Sequence, residues 1–488
     1  MIPLQQKFSG HFTLIAMLVV MAMHIPFLHS DPDVNISASR DAFSDEALHA
    51  GQVRNYLNYG TLKMDEYDNL IKTPLLEAIY FLPLKFIGIH SSTTRLTVLC
   101  LSFLMLLLIW FRRDIYFSNM FIVGIVLLNY YVFNYAHYGL AEMLCTAFIF
   151  SGCYLLQISI NAASKKRIVK MIFANALFAA AYYTKFISLY ALVIPIAALT
   201  LDYLLIKDDD KSLHGKLLIT SIASILFFML LYIVAWILPN YDNFIFVYKH
   251  QPAQLDLSLT GAYRILLHII GIFKTPSVAI GAILFVFTFL IAIYLFIKKA
   301  SLSFRKSYLV IFCWLLCELP KLTMGYLPSR YMVSVYFAIL VLVSIVLNYL
   351  YFEKEFSKYK PVVIAATVLL LLSNLFFYYK TYTQRKFTIA QWNEYFSHYD
   401  LLNKKVIGPW APSLTWECKA YTYPVWYDFM NDKEILTKQK PVVIISEPGE
   451  EESSNAFKLN GIDLNQHADS VIKTHIGSWD VNIYWIKY

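Results

Sequence analysis

The chain has 488 residues, of which 58% are hydrophobic and 15% are charged, and its mean hydropathy is +0.53. A soluble globular protein of this length covers its surface with far more charge, so the composition excludes an ordinary soluble enzyme. The six cysteines form neither a disulfide framework nor a zinc-ligand spacing. The formal net charge of +8 has to be interpreted from where the basic residues lie.

The apolar residues are concentrated in long runs that are nearly free of charge. The clearest runs are Met17–Met23, Leu99–Trp110, Phe121–Tyr131, Leu217–Leu238, Val278–Ile297, Phe337–Leu350 and Val362–Phe377. A helix needs about 20 such residues to cross a bilayer, and about eleven spans fit along the chain. No small-residue cleavage site follows the first apolar segment, so we expect an uncleaved span there.

Basic residues recur in every second connection between the predicted spans. These connections are Phe111–Asp114, Ser164–Lys170, Lys207–Lys216, Lys298–Lys306 and Glu353–Lys360. Loops rich in lysine and arginine remain in the cytoplasm. The pattern therefore predicts a cytoplasmic N-terminus and, with an odd number of spans, an external C-terminus. We expect an integral membrane protein of a bacterial plasma (inner) membrane.

Three external segments are longer than simple loops. The first, residues 28–93, contains a predicted helix at Ser44–Tyr59 and an amphipathic helix at Pro74–Phe86 that suits the membrane surface. The second covers residues 239–276. The third is the polar tail, whose alternating segments predict strands at Lys405–Ile407, Pro441–Ile445, Ser470–Thr474 and Val481–Ile486.

The predicted fold is an all-α polytopic membrane protein with about 11 transmembrane helices and interfacial helices in its first outer loop. A small C-terminal α/β domain follows on the outer side. The corresponding division of the chain is a transmembrane module at residues 1–379 and an extracytoplasmic domain at residues 380–488.

Two adjacent acids in the first outer segment, Asp45 and Glu46, are the first candidates for chemistry. One interpretation is structural: Ser44 caps a helix, and acids in the first turn favour the helix dipole. The other is that a carboxylate accepts a proton from an attacking hydroxyl. The local spacing does not separate the two.

Further polar residues are predicted at the same outer side of the membrane. They are Lys72 before the amphipathic helix, Glu142 at the start of the fourth span, Lys185 at the end of the fifth, and Arg330 with Tyr331 at the start of the tenth. Taken singly, the cations fit snorkelling to the interface and Tyr331 fits an aromatic belt. Four charged clusters that converge on one membrane face favour a phosphate on a membrane carrier.

These residues resemble the GT-C-type glycosyltransferases that use lipid-phosphate sugars, the group of the protein O-mannosyltransferases and aminoarabinose transferases. The resemblance covers about residues 12–350. Its elements are Asp45-Glu46, Lys72-Thr-Pro-Leu, Arg95-Leu96, the stretch that ends in Glu142, Lys185, and Arg330-Tyr331.

The resemblance implies a polyprenyl-phosphate sugar donor and an inverting transfer. By residue-to-residue match, Asp45 is the family's proposed catalytic group, with Glu46 beside it. The same match implies that Lys72, Lys185 and Arg330 hold the donor phosphate, together with Tyr331. The further site candidates are Arg54, His137 and Glu142. The chain departs from the family pattern at Thr73, which replaces a proline, and at His137, which replaces an arginine.

The sequence therefore predicts a membrane glycosyltransferase that moves a sugar to a hydroxyl of a protein, a lipid or a glycan. The expected partners are the lipid-linked donor and the bilayer, with no nucleic acid. No cofactor is expected; a divalent metal would have only Asp45, Glu46 and Glu142 as ligands. The alternatives are a transporter or flippase for a lipid-linked sugar, which places its charges near the midplane, and a non-catalytic membrane scaffold.

Overall fold

The computed structural model describes residues 4–36, 40–62, 69–111, 114, 116–160, 166–206, 211–250, 256, 258–272, 276–449 and 455–488. The α-helices in these ranges are α1 (Leu4–Met23), α2 (Asp41–Tyr59), α3 (Asn69–Lys72), α4 (Pro74–Phe86), α5 (Ser91–Phe111), α6 (Tyr130–Ala136), α7 (Ala141–Ile160), α8 (Arg167–Thr184), α9 (Ile194–Leu201), α10 (Lys211–Tyr232), α11 (Tyr241–His250), α12 (Leu259–Ile272), α13 (Pro276–Ile297), α14 (Leu302–Glu318), α15 (Val333–Phe352), α16 (Lys360–Thr383), α17 (Thr388–Ser397), α18 (Ala411–Leu414), α19 (Ala456–Leu459) and α20 (Leu464–His467). The strands are β1 (Lys405–Ile407), β2 (Tyr421–Tyr423), β3 (Val443–Ser446), β4 (Ala468–Ile476) and β5 (Trp479–Ile486). Short 3₁₀ and π turns lie at Ile25–Phe27, Ile122–Leu127, Phe186–Val193, Asp202–Ile206, Ile233–Ile237, Leu238–Asn240, Leu319–Thr323, Ser329–Met332, Lys354–Tyr359 and Ile435–Gln439.

Seven helical segments among the described residues are long and apolar enough to cross a membrane. They are Ser91–Trp110, Ala141–Ile160, Phe186–Ile206, Ser212–His250, Val278–Ile297, Ser329–Phe352 and Lys354–Ser397. The other predicted spans correspond to shorter or less apolar helices, among them His11–Phe27, so the larger number of spans stays a prediction. In the predicted cytoplasmic connections, Arg112, Arg113, Lys165 and residues 207–210 lie outside the described residues.

Two helices form the centre of the bundle, and the others surround them. In the apolar stretches of α7 and α15, 83% and 89% of the residues are buried, against 22% for Val278–Ile297 and 17% for Lys354–Ser397. The peripheral helices leave large apolar side chains exposed, such as Phe287 and Phe376. So much exposed apolar surface requires a non-aqueous surrounding. The chain is therefore an integral membrane protein, and α7 and α15 are its most deeply packed helices.

A glycine brings α7 and α8 into close contact. A Cβ atom at Gly152 would approach the ring of Phe178 to 2.8 Å, so only glycine allows this packing without a shift. The close approach matters for the site, because the first turn of α7 carries Glu142 and Lys185 follows the last residue of α8.

The first outer segment folds into α2, α3 and α4. The predicted helix at Pro74–Phe86 matches α4 in its bounds. Helix α2, however, begins at Asp41 rather than at Ser44, and the Ser44 hydroxyl bonds within the helix to the Arg40 carbonyl at 3.4 Å. The predicted capping is therefore wrong, because Ser44 is not the cap and the acids lie beyond the first turn.

The tail forms a small domain around a five-stranded mixed sheet. Its strand order is β2-β1-β3-β5-β4, with β1 parallel to both β2 and β3 and with β5 antiparallel to β3 and β4. Strand β2 was not among the strands predicted from the sequence. Helix α16 continues to Thr383, past the predicted boundary at residue 379, and α17 follows as the first helix of the tail.

Arg54 on α2 fastens this domain to the first outer segment. Its side chain is completely buried. The guanidinium donates to the carbonyl oxygens of residues 416, 420, 415 and 418 at 2.8, 2.8, 2.9 and 2.5 Å. The neighbouring Asn55 donates to the Thr422 carbonyl at 3.0 Å. Because guanidinium is a fork of five donors, one residue binds a whole loop of the tail domain.

Arg54→Met is expected to loosen the tail domain from the membrane module. Methionine keeps the bulk but leaves buried carbonyl oxygens without donors, and each lost bond to a charged group costs about 1.5–3 kcal/mol. Hydrogen exchange of residues 415–422 should rise, and α17 should become sensitive to protease. Arg385→Met is the control, because Arg385 also bonds two carbonyls at this junction but is partly exposed. Equal protection in both variants would contradict this role of Arg54.

Candidate functional site

The polar residues of the site come from helix ends at one end of the bundle. Asp45 lies on α2, Glu142 in the first turn of α7, and Lys185 directly after α8. Lys321 and Arg330 lie in the two turns between α14 and α15. Backbone groups at helix ends are not fully paired within the helix, and here charged side chains from five segments fill the space between those ends.

An ion-pair cluster forms the centre of the site. Arg330 Nη2 lies 2.7 Å from Asp45 Oδ2, and Arg330 Nε lies 3.2 Å from Glu142 Oε1. Glu142 also forms an ion pair with the Lys185 ammonium. All four side chains are largely shielded from solvent, so these pairs interact more strongly than surface pairs do. We call Asp45, Glu142, Lys185 and Arg330 the ion-pair cluster.

Tyr331 packs against both cations of the cluster. The Lys185 Nζ atom lies 4.1 Å from the centroid of the Tyr331 ring, and the Arg330 Cζ atom lies 5.2 Å from it. Both distances are in the range of cation–π attraction. The Tyr331 ring and the carboxylates therefore both orient the two cations.

The pKa of Lys185 is lowered to about 8. Burial is the largest cause, and the neighbouring Arg330 lowers the pKa further, whereas Glu142 opposes both effects. A buried ammonium loses hydration, which disfavours its charged form. Lys185 therefore keeps its charge at neutral pH but gives it up more readily than an ordinary lysine.

Sequence reasoning missed Lys321, which lies beside the cluster. Its ammonium forms an ion pair with the buried Glu318. It also donates to Ser334 Oγ at 3.1 Å and to the Tyr331 carbonyl at 3.3 Å. The signal in the sequence was the spacing of Glu318 and Lys321, three residues apart after an apolar helix, which places them on one helical face.

A recess of about 220 Å³ opens between these groups. Its lining residues are Glu142, Cys145, Lys185, Ile187, Ser188, Lys321, Arg330, Tyr331 and Ser334. Three cations and a single acid line it, so the recess favours an anion. We call it the cationic recess.

His49 lies close enough to the ion-pair cluster to be affected by its charges, and sequence reasoning missed it as well. It lies four residues after Asp45 on α2 and therefore on the same helical face. Its pKa is lowered to about 3, first by burial and then by Lys185, Arg330 and Lys72, while Glu142 opposes the shift. Lys72 is half-buried at the end of α3, and its charge acts on the His49 imidazole.

The adjacent acid Glu46 points to other partners. Arg95 Nη2 lies 2.5 Å from Glu46 Oε2, and Arg95 Nε lies 3.0 Å from Oε1. Arg95 Nη1 also donates to the carbonyls of Phe27 and Ser30 at 3.1 and 2.5 Å. Glu46 therefore anchors α2 to α5 through Arg95, which also binds the segment after α1. Of the two predicted catalytic acids, only Asp45 joins the ion-pair cluster.

A second recess, of about 440 Å³, lies on the face of α2 that carries Glu46. It is lined by His29, Ser30, Phe43, Glu46, Ala47, Ser91, Thr94, Arg95, Ile389, Ala390, Ser413 and Trp416. The lining comes from α2, from the segment that follows α1, from the start of α5, and from the tail domain. We call it the interdomain recess.

Two of the predicted site candidates lie apart from the cluster. His137 Nδ1 is 3.0 Å from His24 Nδ1, and the His137 ring stacks on Phe27 at a centroid distance of 5.3 Å. Arg54 binds the tail domain, as described above. Among the described residues, no three His, Cys, Asp or Glu side chains are grouped so that they could hold a metal ion.

The fold and the site define a polytopic membrane protein with a recess lined by three cationic side chains at one end of its helical bundle. Solved structures of GT-C proteins share this architecture. One is ArnT from Cupriavidus metallidurans, bound to undecaprenyl phosphate: the TM-score is 0.59 and the identity 14%, and 97% of each chain is covered.

Another is the archaeal oligosaccharyltransferase AglB from Archaeoglobus fulgidus, in complex with an inhibitory peptide and a dolichol-phosphate. Here the TM-score is 0.51 and the identity 9%, and the match covers 97% of this chain and 74% of AglB. The apo form of the Archaeoglobus fulgidus oligosaccharyltransferase gives a TM-score of 0.51 at 10% identity, over 93% of this chain and 71% of that one. No protein-family model matches the chain, and no curated protein sequence does. At such identities the likeness establishes the fold: this chain has the GT-C fold.

Proposed function

We propose that this protein is a glycosyltransferase that moves a sugar from a polyprenyl-phosphate donor to a hydroxyl acceptor on the outer side of the membrane, with inversion at the anomeric carbon. The ion-pair cluster carries the proposal, because it places a carboxylate, Asp45, beside cations that suit a phosphate. The ligands of the neighbours, undecaprenyl phosphate in ArnT and a dolichol-phosphate in AglB, support a lipid-phosphate donor.

The proposed reaction divides its work between Asp45 and the cations. The acceptor oxygen attacks the anomeric carbon opposite the phosphate, and the bond between that carbon and the phosphate oxygen breaks. The bonding electrons leave with the polyprenyl phosphate, whose charge Lys185, Lys321 and Arg330 stabilise. The proton of the acceptor hydroxyl passes to the carboxylate of Asp45.

The ion pairs explain how the cations are held before the donor arrives. A buried cation without a partner is costly, and in this site Glu142 and Asp45 supply the partners. A phosphate oxygen makes the same kind of charge-assisted hydrogen bond as a carboxylate oxygen. Arg330 can therefore exchange Asp45 for the phosphate, which leaves the Asp45 carboxylate available to the acceptor hydroxyl.

The arrangement favours transfer over transport. Transporters place their substrate groups near the middle of the membrane, whereas this cluster lies at the ends of α7, α8 and α15. Arg330, the ion-pair partner of Asp45, lines the cationic recess. Glu46, the residue after Asp45 on α2, lines the interdomain recess. Two recesses lined by neighbours of Asp45 suit two substrates, which a transferase requires.

A donor panel tests the proposal. The purified protein in lipid nanodiscs is incubated with different polyprenyl-phosphate sugars, and release of polyprenyl phosphate is measured with and without hydroxyl acceptors. Release with at least one donor, and an inverted product, are expected. Transbilayer movement of an intact lipid-linked sugar in vesicles, without any release, would favour the transporter instead.

Lys185 should make donor binding sensitive to alkaline pH. Its lowered pKa of about 8 means that the ammonium is present below that pH and is lost above it. Bound phosphate favours the protonated form, so the dissociation constant for undecaprenyl phosphate should rise by up to about tenfold per pH unit above pH 8.

Lys185→Arg is the matched variant, because arginine stays charged throughout this range. Its dissociation constant for undecaprenyl phosphate should not change between about pH 7.5 and 9.5, measured in steps of about half a pH unit. The same pH dependence in both proteins would show that another group titrates.

A further inference from the structure

We infer that His49 is a further donor-binding residue, whose imidazole Nδ1–H donates a hydrogen bond to an oxygen of the donor phosphate. The inference rests on the proposed function and adds to it a donor-binding residue that the sequence did not indicate.

The first support is position. His49 follows Asp45 by one helical turn on α2, so both side chains leave the same face of the helix. The charges that act on the imidazole are those of Lys185, Arg330, Lys72 and Glu142. Lys72, Lys185 and Arg330 are the cations that the family resemblance assigns to the donor phosphate, so the imidazole lies close enough to these cations for their charges to act on it.

The second support is an unsatisfied polar atom. His49 is 8% exposed, and its Nδ1 atom is buried without a hydrogen-bond partner among the described residues. Buried polar groups are nearly always paired, and an unpaired one costs free energy that folding has to offset. In a cluster built for an anion, a missing partner of this kind indicates a ligand atom.

The third support is the choice of residue. Burial, and to a smaller extent the surrounding cations, keeps the imidazole neutral, and a neutral imidazole still has one N–H to donate. A lysine or arginine at this position would add a further buried cation beside Lys185 and Arg330, with mutual repulsion. A neutral hydrogen-bond donor orients a phosphate oxygen without that repulsion. This is the contribution that His49 makes beside the cations.

The test compares His49→Phe and His49→Asn with the wild-type protein. The probe is undecaprenyl phosphate, and both its dissociation constant and the thermal unfolding of the ligand-free protein are measured. His49→Phe should bind the probe about 10- to 100-fold more weakly, the range for a hydrogen bond to a charged group. Its unfolding temperature should be unchanged or higher, because an unpaired polar atom has been removed.

His49→Asn should recover part of the affinity, because its amide N–H lies close to where the imidazole Nδ1–H was. His398→Phe is the control, since His398 is an exposed histidine of the tail domain, and it should bind as the wild type does.

Two outcomes would overturn the inference alone. One is wild-type affinity in His49→Phe, and the other is a parallel loss of affinity and thermal stability in both His49 variants, which marks a structural residue. A wild-type protein that does not bind undecaprenyl phosphate at all would instead overturn the proposed function, and the inference with it.

Discussion

Asp45→Asn is expected to lower the rate of sugar transfer by about 10²- to 10⁴-fold, the usual contribution of a positioned general base. The asparagine side chain has nearly the same shape, and its carbonyl oxygen still accepts from Arg330 Nη2, which lies 2.7 Å from the Asp45 carboxylate. What the amide cannot do is take a proton from the acceptor hydroxyl. The loss should therefore fall on kcat.

Donor binding should not suffer in the same variant. With the Asp45 charge removed, Arg330 exchanges a weaker partner for the phosphate, so the dissociation constant for undecaprenyl phosphate should be equal to or lower than that of the wild type. A slower turnover with unimpaired binding separates a proton acceptor from a residue that holds the donor. Turnover near the wild-type rate would remove Asp45 from the chemistry.

Two acids serve as controls for this result. Asp242 lies exposed in the first turn of α11, and Asp242→Asn should change neither turnover nor stability. Glu46→Gln breaks the pairing with Arg95, so its main effect should be a lower unfolding temperature. Adjacent acids with different defects would confirm that only one of them serves the reaction.

Much of the fold could be predicted, because the strongest signals are local. Uncharged apolar runs indicate membrane helices whatever they pack against. The helical spacing of apolar residues in Pro74–Phe86 predicted α4 with its observed bounds. Resemblance added the GT-C fold. The number of spans was harder to predict, because several helices are shorter or more polar than an isolated span requires and depend on neighbours for burial.

For the site, the sequence could predict only which charged residues come together. Glu142, Lys185 and Arg330 lie next to apolar runs and Asp45 lies in the polar first outer segment, and the structure brings the four together. Adjacent residues on a helix point about 100° apart, so the spacing of Asp45 and Glu46 could not show that they have different partners. His49 has a visible signal, since it lies one turn after Asp45, but only the surrounding cations make that spacing meaningful.

The role of Arg54 was beyond any local pattern. Its partner Trp416 lies 362 residues further along the chain, and the bonds go to backbone carbonyls, which every residue type carries. An arginine near two acids was therefore assigned to the site from sequence, although it binds the tail domain. Non-local backbone contacts leave no trace in residue type, and this is the physical limit of the sequence prediction.

Glu142→Gln is expected to destabilise the ligand-free protein by about 3–5 kcal/mol, the cost of removing one partner from a buried ion pair. Glu142 is the shared anion of Lys185 and Arg330, so its removal leaves two shielded cations with Asp45 as the remaining carboxylate of the cluster. The glutamine side chain fits the same space, so the loss of stability measures the effect of the charge rather than of packing.

Undecaprenyl phosphate should stabilise this variant more than it stabilises the wild type. In the wild type the phosphate competes with Glu142 for the cations, whereas in Glu142→Gln it supplies the missing negative charge. The rise in unfolding temperature on adding the lipid is the quantity to compare, since a ligand that binds the native state more tightly stabilises it more. An equal rise in both proteins would mean that the phosphate does not reach these cations.

Glu77→Gln is the matched control for the substitution. Glu77 on α4 is as deeply buried as Glu142, but burial raises its pKa well above the ordinary value, which the Val53 backbone offsets only in part. Because burial disfavours the charged form of this carboxyl group, its exchange for a neutral amide should cost less stability than at Glu142 and leave the lipid response unchanged. The contrast between two identical substitutions at buried positions isolates the role of the cations, because only Glu142 has Lys185 and Arg330 as partners in the ion-pair cluster.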